Sequence, residues 1–254
     1  MSILAGRNYV VTGGARGIGL AFCQAIVNAG GKVGILDILS EPHPDCRKLE
    51  EAGRAHYFEE HLLNVLSGKQ YKRLVATLMG AGIGTDIPFV NITWSDFERV
   101  VAVNQTGTFF AVQLAVKQIM SQPYDGKTGR GSVVMVASAS ASGSCPGHSL
   151  TAYGGTKGFV KSFTLQLGHE LANVGIRVNS ISPGYIETDL NLNLAKSRPA
   201  VKHYFDHAPP MQRIGQTTDL TGGLIYLLSD ASAYVTGIDL PIDGGMSTGN
   251  GLTS

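Results

Sequence analysis

Four side chains in this sequence are of types that could move a proton to or from a carbonyl oxygen. Tyr153 and Lys157 are four residues apart in YGGTK, and this spacing places both on one face of a helix. A free tyrosine has a pKa of about 10, and a nearby ammonium should lower it toward the range of acid–base catalysis. Ser140, in SASG, could bind the substrate oxygen, and Asn104, in VNQTG, could hold a water in a relay to Lys157. These four are the predicted catalytic residues.

Each of these residues also has a structural interpretation. Tyr153 and Lys157 could be an ordinary pair on an amphipathic helix, Asn104 a polar residue that joins two helices, and Ser140 a turn residue after a strand. A helix pair alone would favour that interpretation. The presence of Ser140 upstream, together with a glycine-rich turn near the N-terminus, favours catalysis instead.

The glycine-rich turn is typical of a dinucleotide-binding site. TGGARGIG, residues 12–19, lies between an apolar strand and a helix, where free backbone N–H groups can bind a pyrophosphate. The alternative is an ordinary tight turn, which the strand before it and the helix after it disfavour. The predicted cofactor-binding residues of this turn are Gly13, Arg16, Gly17, Ile18 and Gly19.

Asp37, at the end of the second predicted strand, bears on the choice of cofactor. A carboxylate at this position can accept hydrogen bonds from both ribose hydroxyls of the adenosine, and it would repel a 2′-phosphate. Arg16 in the turn argues the other way, because its guanidinium could pair with that phosphate. A carboxylate beside a phosphate is hard to tolerate, whereas Arg16 can turn into solvent. We therefore predict NAD, with NADP as the alternative.

The composition is that of a soluble α/β protein. The 254 residues are 43% hydrophobic and 15% charged, with 33 glycines, which allows a large core and many tight turns. A formal net charge of +1 gives no electrostatic reason to expect nucleic acid or an acidic membrane as a partner. No apolar run reaches the length of a membrane span, and a strand that begins close to Met1 leads us to expect no signal peptide. Cys23, Cys46 and Cys145 are widely spaced, which predicts no metal site and a cytoplasmic protein with reduced thiols.

Strands and helices alternate along the whole chain. The predicted strands are Asn8–Thr12, Lys32–Leu36, His56–Phe58, Leu74–Leu78, Ser132–Ala137, Arg177–Ile181 and Gly237–Pro241. The predicted helices are Ile18–Ala29, Arg47–Gly53, Ser95–Ala115, Tyr153–Leu171 and Thr218–Leu228. Strand–helix–strand units require a parallel sheet. We therefore predict a single α/β domain over residues 1–254, a Rossmann-type doubly wound parallel sheet with helices on both faces.

Six motifs, in this order, resemble those of the short-chain dehydrogenase/reductase family. They are TGGARGIG, VNQTG, SASG, YGGTK, SPGYIET and IDGG, and they extend over nearly the whole chain. The resemblance implies an NAD(P)-dependent oxidoreductase that transfers a hydride between nicotinamide and a carbonyl or secondary alcohol. It maps the family's catalytic tetrad onto Asn104, Ser140, Tyr153 and Lys157. Ser140 is preferred to Ser138 because the family's serine precedes x-x-G.

The resemblance also implies further contacts with the cofactor. Asn104, Tyr153 and Lys157 would contact it in addition to their catalytic roles, and Gly82 after the fourth strand would border it. In the motif SPGYIET, the main chain of Ile186 and the hydroxyl of Thr188 would hold the carboxamide. The predicted cofactor-binding residues of this loop are Pro183, Gly184, Ile186 and Thr188.

A lid and an oligomer are implied by the same resemblance. Residues 189–213 would cover a small-molecule carbonyl or alcohol substrate. The helices that correspond to residues 105–118 and 159–171 pair across subunits in this family, which implies a homodimer or a homotetramer. Simple packing of these helices on the sheet is the alternative.

The stretch around the fourth strand departs from the family pattern. Members usually have Asn-Asn-Ala-Gly there, and a gap-free alignment places Met79 and Gly80 where the asparagines would be. Met79 can supply apolar packing and Gly80 backbone freedom, but neither offers an amide side chain. The preceding crossover, residues 62–71, is short, and the acid expected near adenine does not align clearly with Glu60. We expect a loosened cofactor site with the chemistry retained; the alternative is a catalytically weakened dinucleotide-binding or regulatory protein.

Overall fold

A parallel β-sheet forms the middle layer of the computed structural model, which describes residues 3–59, 74–124, 126 and 129–247. Among these residues the sheet has seven strands in the order β3-β2-β1-β4-β5-β6-β7. The strands are β1 Asn8–Thr12, β2 Lys32–Leu36, β3 Ala55–Phe58, β4 Leu74–Met79, β5 Gly131–Val136, β6 Ile176–Pro183 and β7 Asp239–Ile242. From β1 the chain adds strands toward one edge of the sheet, and from β4 it adds them toward the other edge. Ligands of open α/β sheets bind at such a switch point, which here lies between β1 and β4. The predicted doubly wound fold is confirmed. Both ends of each observed strand lie within two residues of the predicted ends.

Helices cover both faces of this sheet. They are α1 Gly17–Asn28, α2 Pro44–Glu51, α3 Trp94–Val101, α4 Thr108–Met120, α5 Thr151–Ala172, α6 Asp189–Ser197, α7 Pro199–His207 and α8 Thr221–Leu228. The prediction for α2 was wrong at its start, because Pro44 suits a first turn and the His43 ring accepts a hydrogen bond from the Asp45 N–H. Among the described residues, no helix combines the length and apolarity that crossing a bilayer requires.

Alternating side chains of the strands supply two separate cores. On β5, Val134 packs in the core under α1 and α8, whereas its neighbours Val133 and Met135 pack in the core under α4 and α5. This is the period-two alternation of a strand that is covered on both faces. Phe22 and Leu224 are among the helix residues that close the first core. The two cores hold the sheet rigid beneath the loops at its carboxyl edge.

Candidate active site

The glycine-rich turn requires glycine at several positions because the backbone is crowded there. A Cβ on Gly19 would lie 2.0 Å from the carbonyl oxygen of Gly13, and a Cβ on Gly13 would lie 2.8 Å from the Cα of Ala81. Gly13 and Gly17 also have positive φ angles of 69° and 56°, which favour glycine. Helix α1 begins at Gly17, so its first N–H groups are available to an anion. The residues present therefore fit the pyrophosphate of a dinucleotide.

Asp37 is hydrogen-bonded to this turn. Its Oδ2 accepts a hydrogen bond from the Ala15 N–H at 3.0 Å, and its Oδ1 accepts one from the Ile38 N–H at 2.8 Å. Arg16 precedes α1 and is exposed, while Ile18 is half-buried and packs against the core beneath the helix. The carboxylate thus has a defined position at the end of β2, where the arginine is free to turn into solvent.

Lys157 lies buried between α5 and the end of β5. Its Nζ donates a hydrogen bond to the carbonyl oxygen of Val136 at 2.7 Å and lies 5.7 Å from the centroid of the Tyr153 ring. Gly82 leaves room for this ammonium, because a Cβ there would lie 3.3 Å from Nζ. The predicted helix pair is therefore present, and the loop after β4 closes over it.

Burial controls the titration of this pair. It raises the pKa of Tyr153 to about 12 and lowers the pKa of Lys157 to about 8. The prediction that Lys157 lowers the pKa of Tyr153 is therefore wrong for this arrangement. The ammonium is bound to a carbonyl rather than to the phenol, and removal of the phenolate from water dominates. A tyrosine with this pKa is protonated near neutrality and suited to donate a proton.

Ser138 lies at the Tyr153 hydroxyl with Ser140 bonded to it, and sequence reasoning selected only Ser140. Ser138 is within hydrogen-bonding reach of the phenol and favours its ionised form. Ser140 donates from its Oγ to the Oγ of Ser138 at 2.9 Å. The hydroxyl of Ser138 also accepts from the Ser140 N–H and so caps the short 3₁₀ turn Ala139–Ala141. The signal that could have identified Ser138 is its place just after β5, next to the sheet edge.

Asn104 is fully buried in a π-helical segment, Ala102–Gly107, between α3 and α4. Its Nδ2 donates to the Ile83 carbonyl at 2.9 Å and to the Thr156 hydroxyl at 3.0 Å, and its Oδ1 accepts from the Ile83 N–H at 2.9 Å. Such π segments are frequent at functional sites. Asn104 therefore joins two helices, as the structural interpretation held, and also ties the loop after β4 to the neighbour of Lys157. Its role in a water relay stays a prediction.

The altered end of β4 is held in place by backbone hydrogen bonds. Strand β4 stays paired with β1 and with β5 as far as Met79. The N–H of Gly80 donates to the Thr12 carbonyl at 3.1 Å, and the N–H of Ala81 donates to the Thr12 hydroxyl at 3.3 Å. A Cβ on Gly80 would lie 2.9 Å from that carbonyl oxygen. The predicted short crossover and Glu60 lie outside the described residues.

The loop after β6 places further predicted cofactor residues beside the glycine turn. Pro183 ends β6, and Gly184 packs so closely that a Cβ would lie 2.7 Å from the Cα of Asp243. Thr188 caps α6, and its methyl carbon would lie 3.8 Å from a Cβ on Gly17. The loop and the turn are therefore adjacent, although 171 positions separate Gly17 from Thr188 (188 − 17).

Helices α6 and α7 form most of the predicted lid, residues 189–213. Phe205 of α7 is buried and packs at 4.9 Å, between ring centroids, on Tyr185 of the loop after β6. His203 and His207 of the same helix are exposed. The predicted lid is therefore anchored by aromatic packing on the loop after β6.

Replacing Lys157 by methionine should stabilise the protein at neutral pH while removing activity. A folded-state pKa of about 8, against the usual 10.5, means that the wild type carries a buried ammonium below pH 8 and gains stability as pH rises to 10.5. The shift corresponds to about 3 kcal/mol, and loss of the bond to Val136 offsets about 1 kcal/mol of the gain. We expect the free energy of unfolding near pH 7 to rise by about 2 kcal/mol, and the gain to vanish by pH 10.5.

Urea denaturation across this pH range measures the effect. Lys32→Met is the control for the loss of a lysine, because Lys32 is exposed at the start of β2. A gain that does not change with pH in the Lys157 variant would contradict the burial argument.

Comparisons with known proteins agree with this geometry. The sequence profile of the family described as enoyl-(acyl carrier protein) reductase matches residues 13–247. A 2,5-dichloro-2,5-cyclohexadiene-1,4-diol dehydrogenase of Sphingobium indicum is 30% identical, over 97% of this chain and 98% of its own. A 3-oxoacyl-[acyl-carrier-protein] reductase of Thermotoga maritima is 32% identical, over 96% and 98%.

A solved structure leads to the same conclusion. The gluconate 5-dehydrogenase from Burkholderia cenocepacia, in complex with NADP and tartrate, superimposes with a TM-score of 0.85 at 26% identity and covers 98% of both chains. These similar proteins lend no support to the alternative of a non-catalytic regulatory protein. The chain belongs to the short-chain dehydrogenase/reductase family and is an NAD(P)-dependent oxidoreductase.

Proposed function

We propose that Tyr153 is the proton donor and acceptor for a carbonyl or secondary alcohol substrate. The observation that carries the proposal is its position between the serine turn and buried Lys157, with a pKa raised by burial to about 12. In the reductive direction the protonated Tyr153 gives its proton to the carbonyl oxygen. In the oxidative direction only the ionised form of Tyr153 takes the alcohol proton, so oxidation should become faster as the pH rises. Ser140 orients the substrate oxygen, with Ser138 positioning both hydroxyls.

The cofactor would be held by residues from four strand ends. When bound, the nicotinamide supplies or accepts the hydride. Gly13, Arg16, Gly17, Ile18 and Gly19 surround the pyrophosphate, and Asp37 binds the adenosine ribose. Lys157 binds the second ribose, while the Ile186 main chain and the Thr188 hydroxyl bind the carboxamide. Asn104 keeps Gly82 and the loop after β4 against this site.

Hydride transfer can be tested directly on the wild-type chain. Consumption of NADH or NADPH should accompany the reduction of a panel of cyclic and linear ketones, with one alcohol formed for each cofactor oxidised. Cofactor binding should be detectable by calorimetry without substrate. An absence of binding by both cofactors at millimolar concentration would refute the proposal.

Asp37 is expected to give the enzyme a preference for NAD(H). The similar gluconate 5-dehydrogenase was solved with NADP, so the preference is argued from this chain alone. The carboxylate is oriented by the backbone N–H groups of Ala15, Ile38 and Leu39, and it would repel a 2′-phosphate placed at the end of β2. We expect kcat/KM to favour NADH over NADPH at least about tenfold. In Asp37→Ser, with Arg16 still present, that ratio should fall below about one.

Glu41→Gln is the control for a lost negative charge in the same loop, because Glu41 is exposed. Its NADH to NADPH ratio should match that of the wild type. A wild type that prefers NADPH would contradict the assignment to Asp37.

The oligomer is proposed to form through α4 and α5. Phe109 and Phe110 on α4 and Leu165 on α5 are exposed apolar side chains, and Phe109 stacks on Phe163 of α5 with ring centroids 5.2 Å apart. Exposed apolar residues grouped on two helices favour a subunit interface. We infer a homodimer or homotetramer, which sedimentation equilibrium would measure.

The three free thiols favour a reducing compartment such as the cytoplasm.

A further inference from the structure

An aspartate–histidine pair lies next to the site and has no role in the proposed proton transfer. Oδ2 of Asp86, in the loop after β4, lies 2.9 Å from Nδ1 of His148. Oδ1 of Asp86 accepts a hydrogen bond from the Ser149 N–H at 2.7 Å. Burial opposes ionisation of Asp86, but the hydrogen bonds from Ser149, His148 and Arg198 hold its pKa below the usual value. Asp86 is therefore a carboxylate that can only accept hydrogen bonds.

This partner selects the tautomer of the imidazole. Because a carboxylate has no proton to give, Nδ1 of His148 must donate to Asp86. In the neutral imidazole the second nitrogen, Nε2, is then a hydrogen-bond acceptor with its lone pair unused. The same logic orients the histidine of a hydrolase triad, where a buried aspartate holds the ring and leaves Nε2 for a hydroxyl.

Nε2 of His148 has no hydrogen-bond partner among the described residues, although the atom is buried. The side chain of His148 is only 6% exposed. Phe205 stacks against the ring at 5.9 Å and 18°, and Tyr185 lies at 5.7 Å. Neither aromatic ring supplies a donor to Nε2, and buried polar atoms without partners are rare in folded proteins. The missing donor points to a ligand hydroxyl.

The segment that carries His148 is close to the predicted proton donor. His148 precedes Tyr153 by five residues, and Tyr185 follows Gly184 in the loop after β6. The Tyr185 hydroxyl donates to the Pro146 carbonyl at 2.8 Å, which joins that loop to the segment carrying His148. Cys145, three residues before His148, helps to raise the pKa of both Tyr153 and Tyr185, so this segment is near both phenols. The segment carrying His148 is therefore tied to the loop after β6 and lies near Tyr153.

Arg198 links the predicted lid to this pair. It lies between α6 and α7, and it donates from one nitrogen to Oδ2 of Asp86 at 2.6 Å and from another to the Gly147 carbonyl at 3.1 Å. The guanidinium balances the charge of Asp86, so a neutral His148 presents an uncharged acceptor. Such an acceptor recognises a hydroxyl rather than a carboxylate or phosphate.

We propose that Nε2 of His148, oriented by Asp86, accepts a hydrogen bond from a second hydroxyl of the substrate. The substrate class is then a vicinal diol or an α-hydroxyketone, cyclic or linear, rather than a simple ketone or alcohol. This inference rests on the proposed function, because the first oxygen must meet Tyr153. His148 acts as a specificity-determining residue and Asp86 as its positioning residue.

Two alcohols that differ by one hydroxyl test the inference. The wild-type holoenzyme should oxidise cis-1,2-cyclohexanediol with a kcat/KM about tenfold to a hundredfold above that for cyclohexanol. In His148→Phe this ratio should fall to within about threefold of one, mainly through a higher KM for the diol. His169→Phe, an exposed histidine on α5, should keep the wild-type ratio. An equal loss for both alcohols in His148→Phe would assign His148 a merely structural role and overturn the inference.

A second readout does not depend on turnover. Nitrogen-15 NMR of labelled histidine side chains, with NAD(H) present, should show His148 protonated at Nδ1, and His148→Phe identifies its signals. Addition of cis-1,2-cyclohexanediol should shift the Nε2 signal, and cyclohexanol at the same concentration should not. If the shift appears without oxidation of either alcohol, the proposed function fails and the assignment of a substrate class fails with it, whereas the binding of a diol hydroxyl by His148 stands. If the shift is absent, the inference is overturned whatever the kinetics.

Discussion

Tyr153→Phe is expected to lower kcat about a thousandfold, because proton transfer by a positioned side chain contributes roughly 10²–10⁴ to the rate. The variant keeps the ring that packs near Lys157 and removes only the hydroxyl beside Ser138. The substrate oxygen would then have to exchange its proton with water. The affinity for NAD(H) should stay within about threefold of wild type, since the turn and Asp37 are untouched. Stopped-flow and steady-state turnover, with calorimetry for binding, separate these two effects.

Tyr234→Phe is the matched control, because it removes a phenol hydroxyl from a tyrosine that is fully exposed. Its kcat should equal that of the wild type. If the kcat of Tyr153→Phe stays within tenfold of the wild-type value, Tyr153 is not the proton donor.

Gly19→Ala should abolish cofactor binding, with the Kd for NAD(H) raised at least about a hundredfold. Its Cβ would lie 2.0 Å from the carbonyl oxygen of Gly13, so the turn must move by about an ångström. The turn cannot move freely, because the Gly13 N–H donates to the Leu36 carbonyl at 2.8 Å and the Ala15 N–H donates to Asp37. We expect the free energy of unfolding to fall by about 1–3 kcal/mol as well.

Gly222→Ala is the control for the extra methyl group. Gly222 lies in α8, with nothing within 4 Å of an added Cβ, so the variant should bind NAD(H) normally and gain roughly 0.5–1 kcal/mol of stability. Calorimetric titration and urea denaturation give both quantities. If Gly19→Ala binds NAD(H) as the wild type does, the assignment of the turn to the pyrophosphate is wrong.

The unusual end of β4 now bears on cofactor binding rather than on the chemistry. Sequence reasoning expected looseness at Met79 and Gly80, because the usual amide side chains are missing. Backbone bonds to Thr12 and the Asn104 amide hold this segment from both sides. A loosened cofactor site stays a prediction, and the calorimetric Kd of the wild type would test it.

The sequence by itself determined the fold and the family, and it predicted most of the site residues. These follow from local rules: i,i+4 spacing places Tyr153 and Lys157 together, glycine permits the turn at Gly13, and alternating apolar runs specify a parallel sheet. Each rule involves residues that are close in the chain. For that reason they can be applied without coordinates.

Only the tertiary structure decided how these groups behave. Burial, which depends on the whole fold, set the pKa directions of Tyr153 and Lys157, and it reversed the expected effect on the tyrosine. The Asp86 carboxylate meets His148 across 62 positions and Arg198 across 112. No local pattern encodes such contacts, because they arise when loops from different strands meet at one edge of the sheet.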